Sequence, residues 1–501
     1  MSDLVSNLGL GFSLALGFQN IFLCFIGVLV GTLIGVLPGV GSVATIAMLL
    51  PITIGLPPIG ALIMLAGIYY GAQYGGSTTS ILVNIPGEAS SVVTTLDGHQ
   101  MALQGRAGPA LAISAIGSFV AGSVATIFVA ALGVPLTKMA MRFGPAEYFS
   151  LMVVGLIFAV VLAKGSLPKA VMMVLFGLLM SQVGLDMETA TARMTFDLPE
   201  LADGISLAVV AMGLFGFAEV IRNLEGETSR EILKTKITGL MPKLADLKTA
   251  SPAIVRGTIL GSLLGVLPGG GNIIASFAAY GLEKKCSSHP EKFGTGVIEG
   301  VAGPESANNA AAQTSFIPLL SLGIPPNAVM ALMVGAMMVQ GIVPGPQIIS
   351  KQPDLFWALV ASMWIGNLML VIINLPLIGI WVKLLSIPYR LLYPCILMFC
   401  CIGIYSINNS TFDVIMAGAF GIVGYWMIKY DFEPAPLALG WVLGPLLEEN
   451  LRRAMLLSHG DVTVFVTRPI SAGLLFFAFL LVVAAVLPSI RKRREEVFVE
   501  A

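Results

Sequence analysis

Apolar runs of helical length recur along this chain, each closed by glycine, proline or a short polar segment. In the first half they cover roughly 16–37, 59–74, 110–134, 147–163, 168–184 and 204–221. In the second half they cover roughly 253–267, 328–343, 355–382, 391–407, 412–428 and 472–487. A bilayer is crossed by about 20 helical residues, so the pattern predicts an all-α polytopic membrane protein with about a dozen spans. Four runs near 43–56, 78–94, 272–281 and 311–324 are too short to cross alone. Their Gly, Pro and polar boundaries predict re-entrant hairpin arms, whose freed backbone groups must be satisfied by protein or by a watery cavity.

The two halves repeat each other. Residues Gly31–Ser42 (GTLIGVLPGVGS) return as Gly261–Asn272 (GSLLGVLPGGGN), with eight of twelve positions identical. Pro38 and Pro268 lack a backbone donor, and Gly39, Gly41, Gly269 and Gly271 allow turns that a helix would not make. These positions are therefore expected to be helix breaks, with carbonyls near Gly39 and Gly269 offered to a cation. Further matches follow in order: Thr79-Ser80 with Thr314-Ser315, Ile85–Ala89 with Ile324–Ala328, Ile116–Ser118 with Ile365–Asn367, and Pro145 with Pro394. Their offset grows from 230 through 235 and 239 to 249. The charged loop 283–292 has an uncharged counterpart near 50–58, which points to inverted repeats, because basic loops stay cytoplasmic.

Composition agrees with the pattern. The 501 residues are 56% hydrophobic and 11% charged, and mean hydropathy is +0.91. A net charge of -1 gives no general attraction to nucleic acid. The expected partners are instead the lipid bilayer and a small solute. One charged stretch, with six basic and four acidic residues over 222–248, reads as a cytoplasmic connector. The expected organisation is a first transmembrane repeat (1–221), the connector (222–252) and a second repeat (253–430). A C-terminal part (431–501) adds an amphipathic segment, a last helix and a basic tail. Arg491–Arg494 after the last apolar run places the C-terminus in the cytoplasm. No Lys or Arg precedes Arg106, so the first apolar run is read as a retained helix and not a cleaved signal. Five scattered cysteines and three histidines have no metal-ligand spacing.

Two polar clusters lie where lipid would forbid them. One holds Ser77, Thr78, Thr79, Ser80 and Asn84, and the other Ser306, Asn308, Asn309 and Thr314. Hydroxyls, amides and carbonyls are hard oxygen ligands for an alkali cation. The free N–H groups of a half-helix suit a carboxylate. The tips 75–80 with 84–91, and 304–309 with 313–315, are expected to meet near the bilayer midplane. Glu88 and Glu305 read equally well as first-turn acids favoured by the helix dipole, or as ion ligands or proton carriers. Segment 448–453 (EENLRR) reads first as an amphipathic surface helix, with a docking surface as the alternative. No base stands near the serines and no Walker motif is present, so neither an enzyme nor an ATP-driven pump is expected.

At these residues the sequence resembles the TctA family, the large membrane subunit of tripartite tricarboxylate transporters. The likeness is carried by Gly35–Gly41 (GVLPGVG), Tyr69–Glu88 (YYGAQYGGSTTSILVNIPGE), Asp97–Gly108, Glu299–Ala310 (EGVAGPESANNA), Leu322–Pro325 and Glu448–Asp461. Gln313–Ser315 and Pro326-Asn327 depart from the family pattern, beside the expected site. The resemblance implies a bacterial inner-membrane permease working with a small TctB-like membrane subunit and a periplasmic TctC-like solute-binding protein. It implies uptake of citrate-like or related carboxylates driven by an ion gradient, with no cofactor beyond a coupling sodium ion or proton. Elevator-like movement is the expected mechanism. A passive anion channel of the same fold, or a sensor docking a loaded binding protein, stays open as an alternative.

Overall fold

The computed structural model describes residues 2–37, 41–163, 166–186, 189, 191–225, 240–267, 271–385 and 389–486. Its longer helices begin with α1 (Ser2–Ala15), α2 (Phe18–Val36), α3 (Gly41–Thr53), α4 (Pro58–Val83), α5 (Ala107–Ala140) and α6 (Pro145–Leu162). Next come α7 (Leu167–Met180), α8 (Leu207–Glu225), α9 (Leu244–Leu264), α10 (Gly271–Cys286), α11 (Glu299–Thr314) and α12 (Phe316–Leu322). The chain continues with α13 (Ala328–Val339), α14 (Pro353–Asn374), α15 (Ile378–Leu385), α16 (Tyr389–Asn408), α17 (Thr411–Lys429), α18 (Pro434–Leu457) and α19 (Pro469–Val486). A two-residue antiparallel ladder, Gly184–Leu185 with Ala192–Arg193, is a small departure from the all-helical expectation.

Among the described residues, six helices are long and apolar enough to cross a membrane by length and composition: α2, α5, α6, α8, α14 and α17. The other expected spans fall on α4, α7, α9, α13, α16 and α19, which are shorter or more polar. The fold is that of a multi-pass helical membrane protein. The expected connector 222–252 overlaps a helix at each end: Arg222–Glu225 end α8, 226–239 lie outside the described residues, and Leu244–Pro252 belong to α9.

Small residues dictate the packing of two helix pairs. A methyl group added at Gly27, Gly31 or Gly35 of α2 would strike the backbone of Met64, Ile68 or Ala72 of α4. The contact advances four residues on both helices, so α2 and α4 run parallel at backbone contact. Gly257, Gly261 and Gly265 of α9 meet Gly303, Ala307 and Ala311 of α11 in the same way. In each pair an intervening helix must carry the chain back. The 13 residues of α3 and 16 of α10 span about 20 and 24 Å, short of a full crossing.

The two pairs point in opposite directions. The start of α14 lies beside the start of α2 and its end beside the end, through Cys24–Ser362 and Thr32–Asn374. α5 opposes α14, since Gly122 meets Asn367 and Gly133 meets Phe356. α5 runs with α11, since Gly117 faces Ala302 and Ser306, and Ser118 bonds to Asn309.

Charged groups mark one face. Lys429 at the end of α17 pairs with Glu225 at the end of α8 at 2.8 Å, and Lys169 near the start of α7 donates to the Tyr430 carbonyl at 2.7 Å. Trp426 and Tyr430 stack there, as aromatic side chains do at a membrane boundary. α19 runs with α6, through Ser150–Ser471 at 2.7 Å and Phe158–Phe477, so it ends on this same face. We call it the connector face.

Candidate functional site

The starts of α3 and α10, which follow the first helix of each pair, converge on one cavity of about 370 Å³. It is lined by Ser42 at the start of α3, Asn272 at the start of α10, Glu88 to Ser90 beyond α4, and Asn327 and Ala328 at the start of α13. Three helix starts thus face one space, each with amide N–H groups that no helical carbonyl can take. Glu219, Arg222 and Glu433, from helix ends at the connector face, form its rim. Its volume suits a small organic ligand.

Each lining group has a local cause. Gly41 opens α3 with φ of +67°, a conformation an L side chain rarely adopts. Asn84 ends α4 in a left-handed conformation with its side chain exposed, so the chain turns into Ile85-Pro86-Gly87. Gly87 then lies against the first helix pair, where an added methyl would come 2.6 Å from the Gly76 Cα. This brings Glu88 across to α3, and its Oε1 accepts the Ser42 amide at 2.5 Å. Behind the loop, Ser80 donates to Ser91 Oγ at 2.9 Å and Ser90 donates to Gln73 Oε1 at 2.7 Å. In the second half Gly323 ends α12 left-handed, and Asn327 caps α13 by accepting the Met330 amide at 2.9 Å. The Asn327 amide also donates to the Tyr69 hydroxyl at 3.1 Å.

A second polar cluster is buried in the helical interior. Glu305, fully buried within α11, accepts hydrogen bonds from Ser77 on one oxygen and from Thr94 on the other. Asn309 donates to Ser118 Oγ at 2.7 Å and to the Glu305 carbonyl at 3.1 Å. Both polar atoms of Asn308 are buried without a hydrogen-bond partner. Nearby, Asp97 joins the halves: its carboxylate accepts the amides of Gly294, Gly296 and Val297 and the Tyr280 hydroxyl at 2.8 to 3.0 Å.

The expected site residues therefore separate. Ser77, Thr78, Thr79, Ser80, Ser306, Asn308, Asn309 and Thr314 are buried inside α4 and α11 and do not line the cavity. Segments 75–80 and 304–309 are helix interior, not tips, because glycine and alanine at the helix seams keep these turns packed and hydrogen-bonded. Glu88 lines the cavity, whereas Glu305 and Asn84 do not. Pro38, Gly39, Pro268 and Gly269 lie outside the described residues; Gly41 and Gly271 begin α3 and α10. The pairing of Thr79 with Thr314 is one turn out of register. An offset of 239, not 235, relates both Ala72 to Ala311 at the seams and Asn84 to Gly323 at the helix ends. Segment 448–453 is no free surface helix either. It continues the half-buried α18, where Glu448 and Arg452 form an ion network with Arg193 and Asp186.

Sequence reasoning missed Ser42, Tyr69, Arg222, Asn272 and Asn327 as lining groups. The signal was present for two of them, since Ser42 and Asn272 are the small polar residues that close the repeated phrase.

The family model described as "Tripartite tricarboxylate transporter TctA family" matches residues 21–439. An Agrobacterium vitis protein described as "Uncharacterized 52.8 kDa protein in TAR-I ttuC' 3'region" is 59% identical over 500 residues, covering all of both chains. A second from the same organism, "Uncharacterized protein in TAR-II ttuC' 3'region", is 66% identical over 240 residues, which is 48% of this chain and 99% of that one. No solved structure matches the chain. With the family match spanning the helix pairs and the cavity between them, this chain belongs to the tripartite tricarboxylate transporter TctA family, a family of transporters rather than enzymes.

Proposed function

We propose that this chain is the permease subunit of an ion-gradient-driven secondary transporter that takes up citrate-like or related carboxylates. The observation that carries the reading is the convergence of α3, α10 and α13 starts on one cavity, lined by hydroxyl and amide groups. Such a site holds carboxylates through backbone N–H groups and helix dipoles. The opposite directions of the α2/α4 and α9/α11 pairs support an inverted-repeat architecture, with α3 and α10 as re-entrant arms. In that architecture one repeat unit moves against a scaffold, in an elevator-like way.

The exits toward the basic connector and the basic C-terminal tail share one face. The positive-inside rule makes that face cytoplasmic, in a bacterial inner membrane. The cavity rim then faces inward, the side on which an importer releases its solute. Family membership brings in the two other components, a TctB-like membrane subunit and a TctC-like periplasmic binding protein. Glu305 and the hydroxyls and amides around it are the proposed seat of the coupling sodium ion or proton.

The test is uptake of labelled citrate into vesicles holding all three components, under a sodium gradient and, separately, a proton gradient. Accumulation against the solute gradient under either supports a coupled transporter and identifies the ion. Equilibration without accumulation would mark a channel. Absence of flux for citrate and a panel of other carboxylates would overturn the reading.

A further inference from the structure

The two halves place different groups at equivalent points of the cavity wall. Ile85–Ala89 and Ile324–Ala328 follow the left-handed ends of α4 and α12, so Glu88 and Asn327 hold matching positions in extended backbone. Asn327 has the shorter side chain. It folds back onto the Met330 amide of its own helix and leaves the cavity side neutral. Glu88 is one methylene longer and charged, and it reaches across to the first helix pair. Its carboxylate takes the Ser42 amide at the start of the 13-residue α3.

The charge on Glu88 meets hydrogen-bond donors rather than a cation. Among the described residues no Lys or Arg lies within ion-pair distance of it. Arg222, the cationic side chain of the rim, stands 3.8 Å from Glu219. A carboxylate from solution would seek the α3 amide that Glu88 holds, and two like charges at one helix start repel.

Resting on the reading of the cavity as a carboxylate site, we infer that Glu88 is a tethered carboxylate occupying one of the substrate's own anion seats. The substrate binds there by displacing Glu88 from the Ser42 amide, while the seat at Asn272 has no resident acid among the described residues. Glu88 is thus a specificity and gating residue. It weakens retention of carboxylate in the cavity and favours solutes bearing a hydroxyl or other donor that its displaced carboxylate can accept.

The experiment is calorimetric titration of citrate into the purified full-length protein, compared with Glu88→Gln and Glu88→Asp. Glu88→Gln removes the competing charge and should bind citrate about tenfold more tightly, whereas Glu88→Asp keeps the charge and should not. Wild-type binding with equal or weaker binding by Glu88→Gln would overturn the inference and leave the carboxylate cavity standing. No binding of citrate or other carboxylates by any form would remove the cavity reading, and the inference with it. Should Glu88→Gln fail to fold, infrared difference spectra of wild-type protein carrying ¹³C-labelled glutamate decide the matter. Citrate should shift a labelled carboxylate band, and an unmoved band would refute displacement.

Discussion

Glu88 and Glu305 look alike in the sequence and live in different surroundings. Each follows a proline or Pro-Gly turn, and each carries a lone negative charge in an apolar neighbourhood. Glu305 is sealed within α11, with hydroxyls from the other half of the chain on both carboxylate oxygens. Glu88 borders a cavity and holds the amide and the hydroxyl of Ser42 at one helix start, groups that an incoming anion can also use. An acid whose partners are all side chains in a buried core serves the fold or a small ion. One that borrows a helix start beside open space is positioned to be exchanged. The difference lies in what surrounds the carboxylate, not in the residue.

The largest expected effect separates the two acids by stability. Glu305→Ala strands the Thr94 hydroxyl and leaves a void, at about 3 kcal/mol, whereas Glu88→Ala costs less than about 1 kcal/mol. Thermal melts in detergent would show the contrast, and equal losses would break it. Next comes Gly87→Ala. The added methyl pushes the Glu88 loop off Gly76, at about 2 kcal/mol, and by loosening Glu88 from the Ser42 amide should tighten citrate binding. Binding unchanged from wild type would show that the loop's position does not matter. Asn327→Ala removes the α13 cap and the Tyr69 contact at the cavity wall, and should weaken citrate binding about tenfold, or about 1.4 kcal/mol. The smallest effect lies outside both regions. Arg193 holds the Glu448 carboxyl below its ordinary value, with Arg452 adding to it. The stability this pair contributes is complete above the unfolded carboxyl's pKa of about 4.3 and is lost as pH falls through the lower folded value. A half-exposed pair gives at most about 1 kcal/mol. Melts of Glu448→Gln should therefore lose less than wild type between about pH 5 and pH 3, and parallel losses would exclude the pair as their source.

Much of the architecture was legible along the chain. The repeated phrase leads into the starts of α3 and α10 at Gly41 and Gly271, and Gly41 holds a positive φ that an L side chain rarely adopts. What misled was hydroxyl content. Ser77 to Ser80 read as a binding tip, yet each of these hydroxyls bonds to a carbonyl of its own helix or to a neighbouring side chain, which satisfies it inside a buried helix. Composition alone does not tell a polar helix interior from a polar turn. Ser42 and Asn272 were in plain view, but as single residues at phrase ends they carried no weight until folding brought them to one wall.

The sequence by itself determined membrane residence, the helix starts at Gly41 and Gly271 and the family, because apolar length and glycine spacing act locally and are written in order. Tertiary structure alone decided that the two helix pairs point in opposite directions. It also decided that the starts of α3, α10 and α13 share a cavity, and that Glu88 faces it while Glu305 does not. Those outcomes depend on which backbones the glycine seams allow to touch, at separations of 37 residues in one half and 46 in the other, and no local pattern encodes such a distance.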